Sequence, residues 1–414
     1  MRLAKPFVNR FLVVIIAIGL AWSLRSEAQV EFGGYFKSYI ITQDPPAIQP
    51  SPPGYGRELG LQSLSAGRLN VTWTLQSDLS VEAAYEATPI IEDRSILNQS
   101  VGSLIITEPL NRGPNYRLMD IKTDPVNESG HRVFQNLDRL SLHAALPFGD
   151  LTVGRQAITF GTARVISPTD VLLPYSFAQL NVEYRMGIDG LRLQAPIGAT
   201  GELDIGAVVG EEARAENNAA FIRSRLSYWQ SDFVVMAMTF ARATLIGGGI
   251  QTGIQDFGYT LDFAQIWPDS NDEAYFRLSM ALDHTLASEL FIFVEYHFNG
   301  AGSSRSEDYL ARLQTFAYQK GGVFLLGRHY LIPGASYPLT PLTQVSGQAL
   351  WNLEDGSVFL RPSLEYNFAE NIYFDFGSFL ALGQGPQYGT NGVKTRSEFG
   401  SYPIQAYAAL RFYF

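Results

Sequence analysis

Charged residues recur at alternate positions of segments whose other positions are apolar. From that alternation one face carries Arg68, Glu82, Glu86, Arg139, Arg192, Arg223, Arg225, Asp262, Arg277, Asp283, Glu295, Arg361, Glu365, Asp375 and Arg411. Arg223 and Arg225 lie two apart, so on an extended strand both project into one patch. Guanidinium groups set against carboxylates across a water-filled space would make a transverse field that orders charged or dipolar solutes. The same residues could equally serve as internal ion pairs of a polar lining. Arg outnumbers Lys by 25 to 5, which suits fixed, multidentate contacts better than mobile surface charge. Arg155 breaks the alternation, because it shares a face with Leu151 and Val153. A bulge at Gly154 would turn it inward, making Arg155, Arg164 and Asp170 candidates for a constriction, with the segment 161–186 folded inside.

Catalytic arrangements are poorly represented. The five histidines (131, 143, 284, 297 and 329) are dispersed. Ser141 and His143 are two apart on one strand, but no third partner or nucleophile elbow accompanies them. There is no phosphate-binding GKS or GKT loop and no HExxH zinc motif. Zero cysteine excludes a thiol nucleophile, a disulfide framework and Cys-ligated metals. Pro268–Glu273 is rich in oxygen ligands but reads as a polar turn. No enzymatic activity, cofactor or metal is expected.

The elements that must carry these residues are strands. In 68–76, Leu69, Val71, Trp73 and Leu75 form one face, and Arg68, Asn70, Thr72, Thr74 and Gln76 form the other. Ser77-Asp78 then breaks the chain, and 79–88 alternates again. The period of two repeats about eighteen times between 30–42 and 403–414, with sixteen strands as an alternative count. Alternate breaks are short (77–78, 147–150, 197–201, 231–232, 255–257, 287–289, 339–342, 369–371) and the others are long. An antiparallel barrel with short turns at one rim and long loops at the other has this pattern, its apolar face toward lipid. Four long loops stand out: 44–58, 89–133, 161–186 and 300–327. In the last, Leu310, Leu313, Phe316 and Ala317 have helical spacing, with Ser306 as N-cap and Gly321 as stop, so an amphipathic helix is expected over 306–319.

The chain has 414 residues, a net charge of −10 and 46% hydrophobic residues. Arg2, Lys5 and Arg10 precede twelve apolar residues, Phe11–Trp22, and Ser26-Glu27-Ala28 offers small residues at a cleavage site. Residues 1–28 therefore read as a secretory signal peptide and 29–414 as one barrel domain. The leader takes four Lys/Arg and one acid with it, leaving −13. That acidity argues against a nucleic-acid partner and tilts the choice of solute toward cations. Twelve apolar residues are too few for a spanning helix, which needs about 20.

Gly154-Arg155-Gln156 leading into Pro168-Thr169-Asp170, the segment Glu295-Tyr296-His297-Phe298-Asn299-Gly300, and the final strand 404–414 ending in Phe414 resemble porin-like Gram-negative outer-membrane β-barrels. Phe160 stands where that group typically has Trp. The resemblance implies an outer-membrane channel for passive or facilitated diffusion of small hydrophilic solutes. It also implies lipid and lipopolysaccharide around the barrel and barrel-assembly machinery acting through the strand that ends in Phe414. Oligomers are compatible with it. A non-conducting barrel in surface adhesion or envelope-polymer assembly and export is the alternative.

Overall fold

A computed structural model describes residues 29–414 apart from 53–54, 94–115, 119–122, 129, 175–176, 178–182, 270 and 391. The leader 1–28 and much of loop 89–133 lie outside the described residues. Strands β1 (Gln29–Asp44), β2 (Gly60–Gln76) and β3 (Leu79–Glu92) open the chain, and a short β4 (Thr123–Glu128) lies in the next loop. The wall continues with β5 (His131–Leu146), β6 (Gly149–Gln156), β7 (Ile188–Ile197), β8 (Gly201–Val208), β9 (Ala219–Tyr228) and β10 (Ser231–Phe240). Then come β11 (Ala243–Ile254), β12 (Phe257–Trp267), β13 (Tyr275–Thr285), β14 (Phe291–Asn299), β15 (His329–Thr340) and β16 (Thr343–Asn352). β17 (Val358–Ala369) and β18 (Ile372–Leu382) precede a loop hairpin, β19 (Gln387–Gly389) with β20 (Gly392–Lys394), and the wall ends with β21 (Ile404–Tyr413).

Leaving out β4, β19 and β20, eighteen strands pair antiparallel with their neighbours in sequence. β21 also pairs with β1, from Tyr35 opposite Tyr413 to Asp44 opposite Ile404, so the sheet closes on itself. Closure leaves no wall strand with an unpaired edge, which is the condition for a sheet to sit in hydrocarbon. The outer face supplies the rest. Phe32, Phe36 and Ile40 of β1, Phe233 and Val235 of β10, and Leu410 and Phe412 of β21 are exposed outward, while their odd or even neighbours turn inward. Among the described residues no helix is long and apolar enough to cross a membrane; the strands do the crossing.

Two turns are tighter than their residues favour. Trp229-Gln230 and Ala241-Arg242 close β9–β10 and β10–β11 with positive φ at all four positions, the geometry of a two-residue primed turn that ordinarily selects Asn or Gly. The expected helix over 306–319 is broken. Residues 306–308 form a 3-10 turn, and only Tyr309–Arg312 and Phe316–Gln319 are helical. No side chain caps these short pieces. Tyr309 and Ala317 are the buried positions, whereas Leu310 and Leu313 stay half-exposed. Packing on the barrel mouth, not amphipathic periodicity, sets this segment.

Candidate functional site

The segment between β6 and β7, residues 157–187, folds into the lumen and is held at both ends. At its first end two inward carboxylates take its amides. Glu295 of β14 accepts from the backbone N–H of Arg164 (3.0 Å), Val165 (2.9 Å) and Ile166 (2.9 Å). Asp262 of β12 accepts from Thr162 N–H (2.9 Å) and from the Thr169 hydroxyl (3.1 Å). A carboxylate holding several amides is a strong anchor, since charged acceptors make the stronger hydrogen bonds. The wall opposite is flat because β11 carries Gly247 and Gly249 here. A Cβ on either would strike Thr169 Cγ2 (2.7 Å) or Thr162 Oγ1 (2.4 Å), so glycine lets the loop lie against the strand.

The second end crosses to the far wall. Lys37 Nζ of β1 donates to Glu183 Oε2 (2.7 Å), and Arg411 of β21 (3.0 Å) and the Tyr413 hydroxyl (2.6 Å) donate to Oε1. The Tyr184 ring lies under the Arg68 guanidinium (4.3 Å) and beside Tyr35 (5.7 Å). Arg185 pairs with Asp170 within the loop. Burial pushes the Asp170 carboxyl up to about 6 against the pull of Arg185.

Asp138 of β5 organises the neighbouring wall. The β3–β5 register slips between Ala84 and Tyr85, leaving Asp138 as the extra residue. Both Asp138 and Arg139 then point inward. Asp138 accepts from Arg68 (2.6 Å), Arg139 (2.7 Å) and the Gly187 N–H (2.8 Å).

The bulge expected at Gly154 is thus found at Asp138. β6 keeps one-to-one register with both neighbours, and Gly154 instead turns the chain through φ +115°. A Cβ there would lie 2.3 Å from the Leu140 carbonyl oxygen. Arg155 does turn inward, donating to both Asp189 oxygens (2.7 and 2.9 Å).

The remaining sequence-selected residues divide into three groups. Arg277 and Glu295 are fully buried beneath the loop, as is Asp170 within it. Arg192 pairs with Asp204 across β7–β8, Arg223 lies 3.8 Å from Glu202, and Arg225 pairs with Asp232. Arg164 reaches Asp283 at 2.6 Å. Facing the lumen water are Glu82 beside His143 (3.6 Å), Glu86 bonded by the Tyr35 hydroxyl (2.6 Å), Asp375 bound by Arg411 (2.8 Å), and Arg361 over the Phe379 ring (5.3 Å).

Ser141 and His143 do meet, at 2.9 Å, but Glu82 approaches the same ring nitrogen that Ser141 holds. A carboxylate on that nitrogen cannot orient the ring as a triad requires. No group of three or more His, Cys, Asp or Glu suited to a metal occurs among the described residues.

Lys37, Asp138, Glu183 and Asp189 are inward or loop charges the alternation did not single out. Lys37 was within reach of it, being the odd residue between outward Phe36 and Ser38. Asp138 carried a signal too: a charge in register with lipid-facing Leu140 and Leu142 marks a bulge. Glu183 had none, since its partners lie more than 140 positions away along the chain.

Apolar clusters fill the loop-rim half of the lumen inside much of the wall. Ile158, Phe160, Leu172, Phe221, Met236 and Phe240 pack within β6–β13. Ile166, Tyr330, Leu350, Phe359 and Phe399 pack within β15–β18. A third cluster, Tyr39, Ile41 and Ala409 with Leu64 and Tyr407, lines the loop-rim half of β1, β2 and β21. The turn-side halves of β2, β3, β16 and β17 are polar instead, with Gln344, Ser346, Gln348, Arg361, Ser363 and Glu365 at least part-exposed.

No protein-family model matches the chain, and no curated protein sequence matches it. Solved structures share its architecture. It is similar to OccAB4 of Acinetobacter baumannii (TM-score 0.56, 10% identity, 93% of this chain and 98% of that one). It is similar to a BenF-like porin of Pseudomonas fluorescens Pf-5 (TM-score 0.56, 9% identity, 94% and 98%). OccK9 (OpdG) of Pseudomonas aeruginosa matches to the same degree (TM-score 0.56, 9% identity, 94% and 98%). At such identity the likeness is one of fold: a closed antiparallel β-barrel of the porin kind.

Proposed function

We propose that this chain is a porin-like channel of the Gram-negative outer membrane, passing small hydrophilic solutes by diffusion through a lumen narrowed by loop 157–187. The observation that carries the reading is the contrast between the two faces of one wall. Its outside is an apolar belt. Its inside is polar and part-exposed along the turn-side halves of β2, β3, β16 and β17. The barrel fold shared with the BenF-like porin supports it. Residues 1–28 act as the export signal, and Gln29, where β1 begins, starts the mature chain. The resemblance carried by Gly154–Gln156, Pro168–Asp170 and Glu295–Gly300 belongs to the same reading. So does assembly by the barrel-insertion machinery through the strand ending in Phe414, and a lipid and lipopolysaccharide surround. No enzymatic role is assigned.

The mechanism is sieving plus electrostatics. Carboxylates anchor the loop at β12 and β14, so its position is set by folding and not by the solute. The charges that remain part-exposed bias which solutes pass. A second reading has one observation in its favour: the apolar clusters that close most of the loop-rim lumen suit a non-conducting barrel in adhesion or polymer export. Single-channel recording of refolded 29–414 separates them. Stable conductance steps are expected; a folded, heat-modifiable barrel that stays silent overturns the channel.

A further inference from the structure

Ion pairs in the lumen are not symmetric about the water. On the wall formed by β1–β3, β17, β18 and β21 the cation is the inner partner of three pairs that meet the lumen beside and below the loop, while toward the loop rim arginine is the outer partner at Arg57–Asp44 and Arg132–Glu92. Lys37 is 0% exposed against 33% for Glu183, Arg68 2% against 20% for Glu86, and Arg411 15% against 44% for Glu365. A solute moving along this wall meets the oxygens of Glu86, Glu183 and Glu365 ahead of the cations paired with them, and meets one part-exposed guanidinium, Arg361 over the Phe379 ring. Opposite, arginine is the outer partner at Arg192–Asp204, Arg225–Asp232 and Arg164–Asp283, and the carboxylate at Arg223–Glu202.

The two walls do not count equally. At the height of the loop the β6–β13 side is filled by apolar packing. Arg164, Asp232 and Asp283 instead line a basin of about 640 Å³ on the turn side. The charged end of the loop, Glu183-Tyr184, meets the opposite wall at β1, β2 and β21. There, low-dielectric surroundings lengthen the reach of each charge.

Resting on the channel reading above, we infer that the passage selects cations, and among organic solutes those bearing an ammonium or guanidinium group. Glu86, Glu183 and Glu365 are the residues that select. Tyr184, 42% exposed beside them, adds an aromatic surface of the kind that attracts such cations.

The test is the reversal potential of refolded 29–414 in a planar bilayer under a potassium chloride gradient. It is followed by replacement of potassium with guanidinium on one side. The expected result is reversal on the potassium side, growing as salt is lowered, with guanidinium carrying current and butyrate, offered as its sodium salt, carrying less. Glu86→Gln and Glu365→Gln, made singly and together, should shift reversal toward the chloride side. Arg411 keeps Asp375 and Glu183 when Glu365 is neutralised, so the wall stays paired. Conductance with reversal on the chloride side overturns the inference while leaving a channel. Cation preference unmoved by both variants overturns the assignment to these carboxylates. If a variant fails to fold, the wild-type sign still decides, and a folded but silent wild type overturns inference and channel together.

Discussion

Glu398 shows how a single side chain can govern the loop rim. It lies in the loop between β18 and β21, fully buried, accepting from Leu326 N–H (2.9 Å), the Tyr330 hydroxyl (2.5 Å) and Asn352 Nδ2 (2.8 Å). It thereby ties two loops to β15 and β16. Burial, aided by Asp355, pushes its carboxyl up to about 7 despite those donors. A carboxyl whose folded value lies above its unfolded value of 4.5 holds its proton more firmly in the native state. Stability from this group is therefore full below about pH 4.5 and falls as pH rises to about 7. The size is of order 3 kcal/mol. Urea unfolding in detergent at pH 5 and pH 8 should show the wild type losing stability with pH relative to Glu398→Gln; an unchanged gap refutes the assignment. At Gly154 the argument is steric. Gly154→Ala must hold φ +115° and place a methyl 2.3 Å from the Leu140 oxygen, at a cost of about 1–3 kcal/mol. A lower urea midpoint is the expected result.

At the scale of elements the barrel and the inward course of the loop after β6 were legible, and the loop's anchors were not. A period of two runs through the wall strands, broken in β5 where Asp138 and Arg139 both turn inward, because one face meets hydrocarbon and the other meets water or buried polar partners. Every slip would be punished by both. Even β11, whose Gly247–Gly249 run weakens strand propensity, was recoverable from its neighbours. What alternation could not reveal is which wall residues hold the loop. Glu295 and Asp262 read only as inward charges; that they hold the amides of residues 162–166 depends on pairings about 100 to 131 positions apart. Likewise the spacing of Leu310 and Leu313 implied a helix, yet the barrel mouth breaks the segment into single turns. The anchor makes a prediction. Glu295→Ala removes the acceptor of three N–H groups, of which that of Ile166 is buried and costs roughly 1–3 kcal/mol when left unsatisfied, so the loop should detach from β14. Faster proteolysis within 157–187 and noisier, larger conductance would follow, with Glu295→Gln intermediate because it retains one acceptor oxygen. Equal cleavage rates in all three proteins would mean the loop is held elsewhere.

For the whole molecule, everything rests on the seam between the first and last strands. The β1–β21 ladder runs from Tyr35–Tyr413 to Asp44–Ile404. Beyond it Phe414 adds a reciprocal pair, with Gly34 N–H donating to its oxygen (2.9 Å) and its own N–H donating to Gly34 (3.2 Å). Its ring lies on the lipid side, where a Cβ on Gly34 would approach it to 2.9 Å. In an open sheet an end pair is a minor term. In a closed one it decides whether the last row of hydrogen bonds forms in hydrocarbon or is left unpaired there, at several kcal/mol per group. Removing Phe414 should therefore cut the yield of the closed barrel far more than the loss of one residue from a soluble strand would. Phe414→Ala, which keeps both backbone bonds, should lose less than the deletion. The measurement is the fraction of heat-modifiable barrel after refolding into vesicles. If deletion and alanine variant fell equally, the ring on the lipid face would be the cause. If neither fell, the ladder from 35–413 to 44–404 closes the barrel unaided.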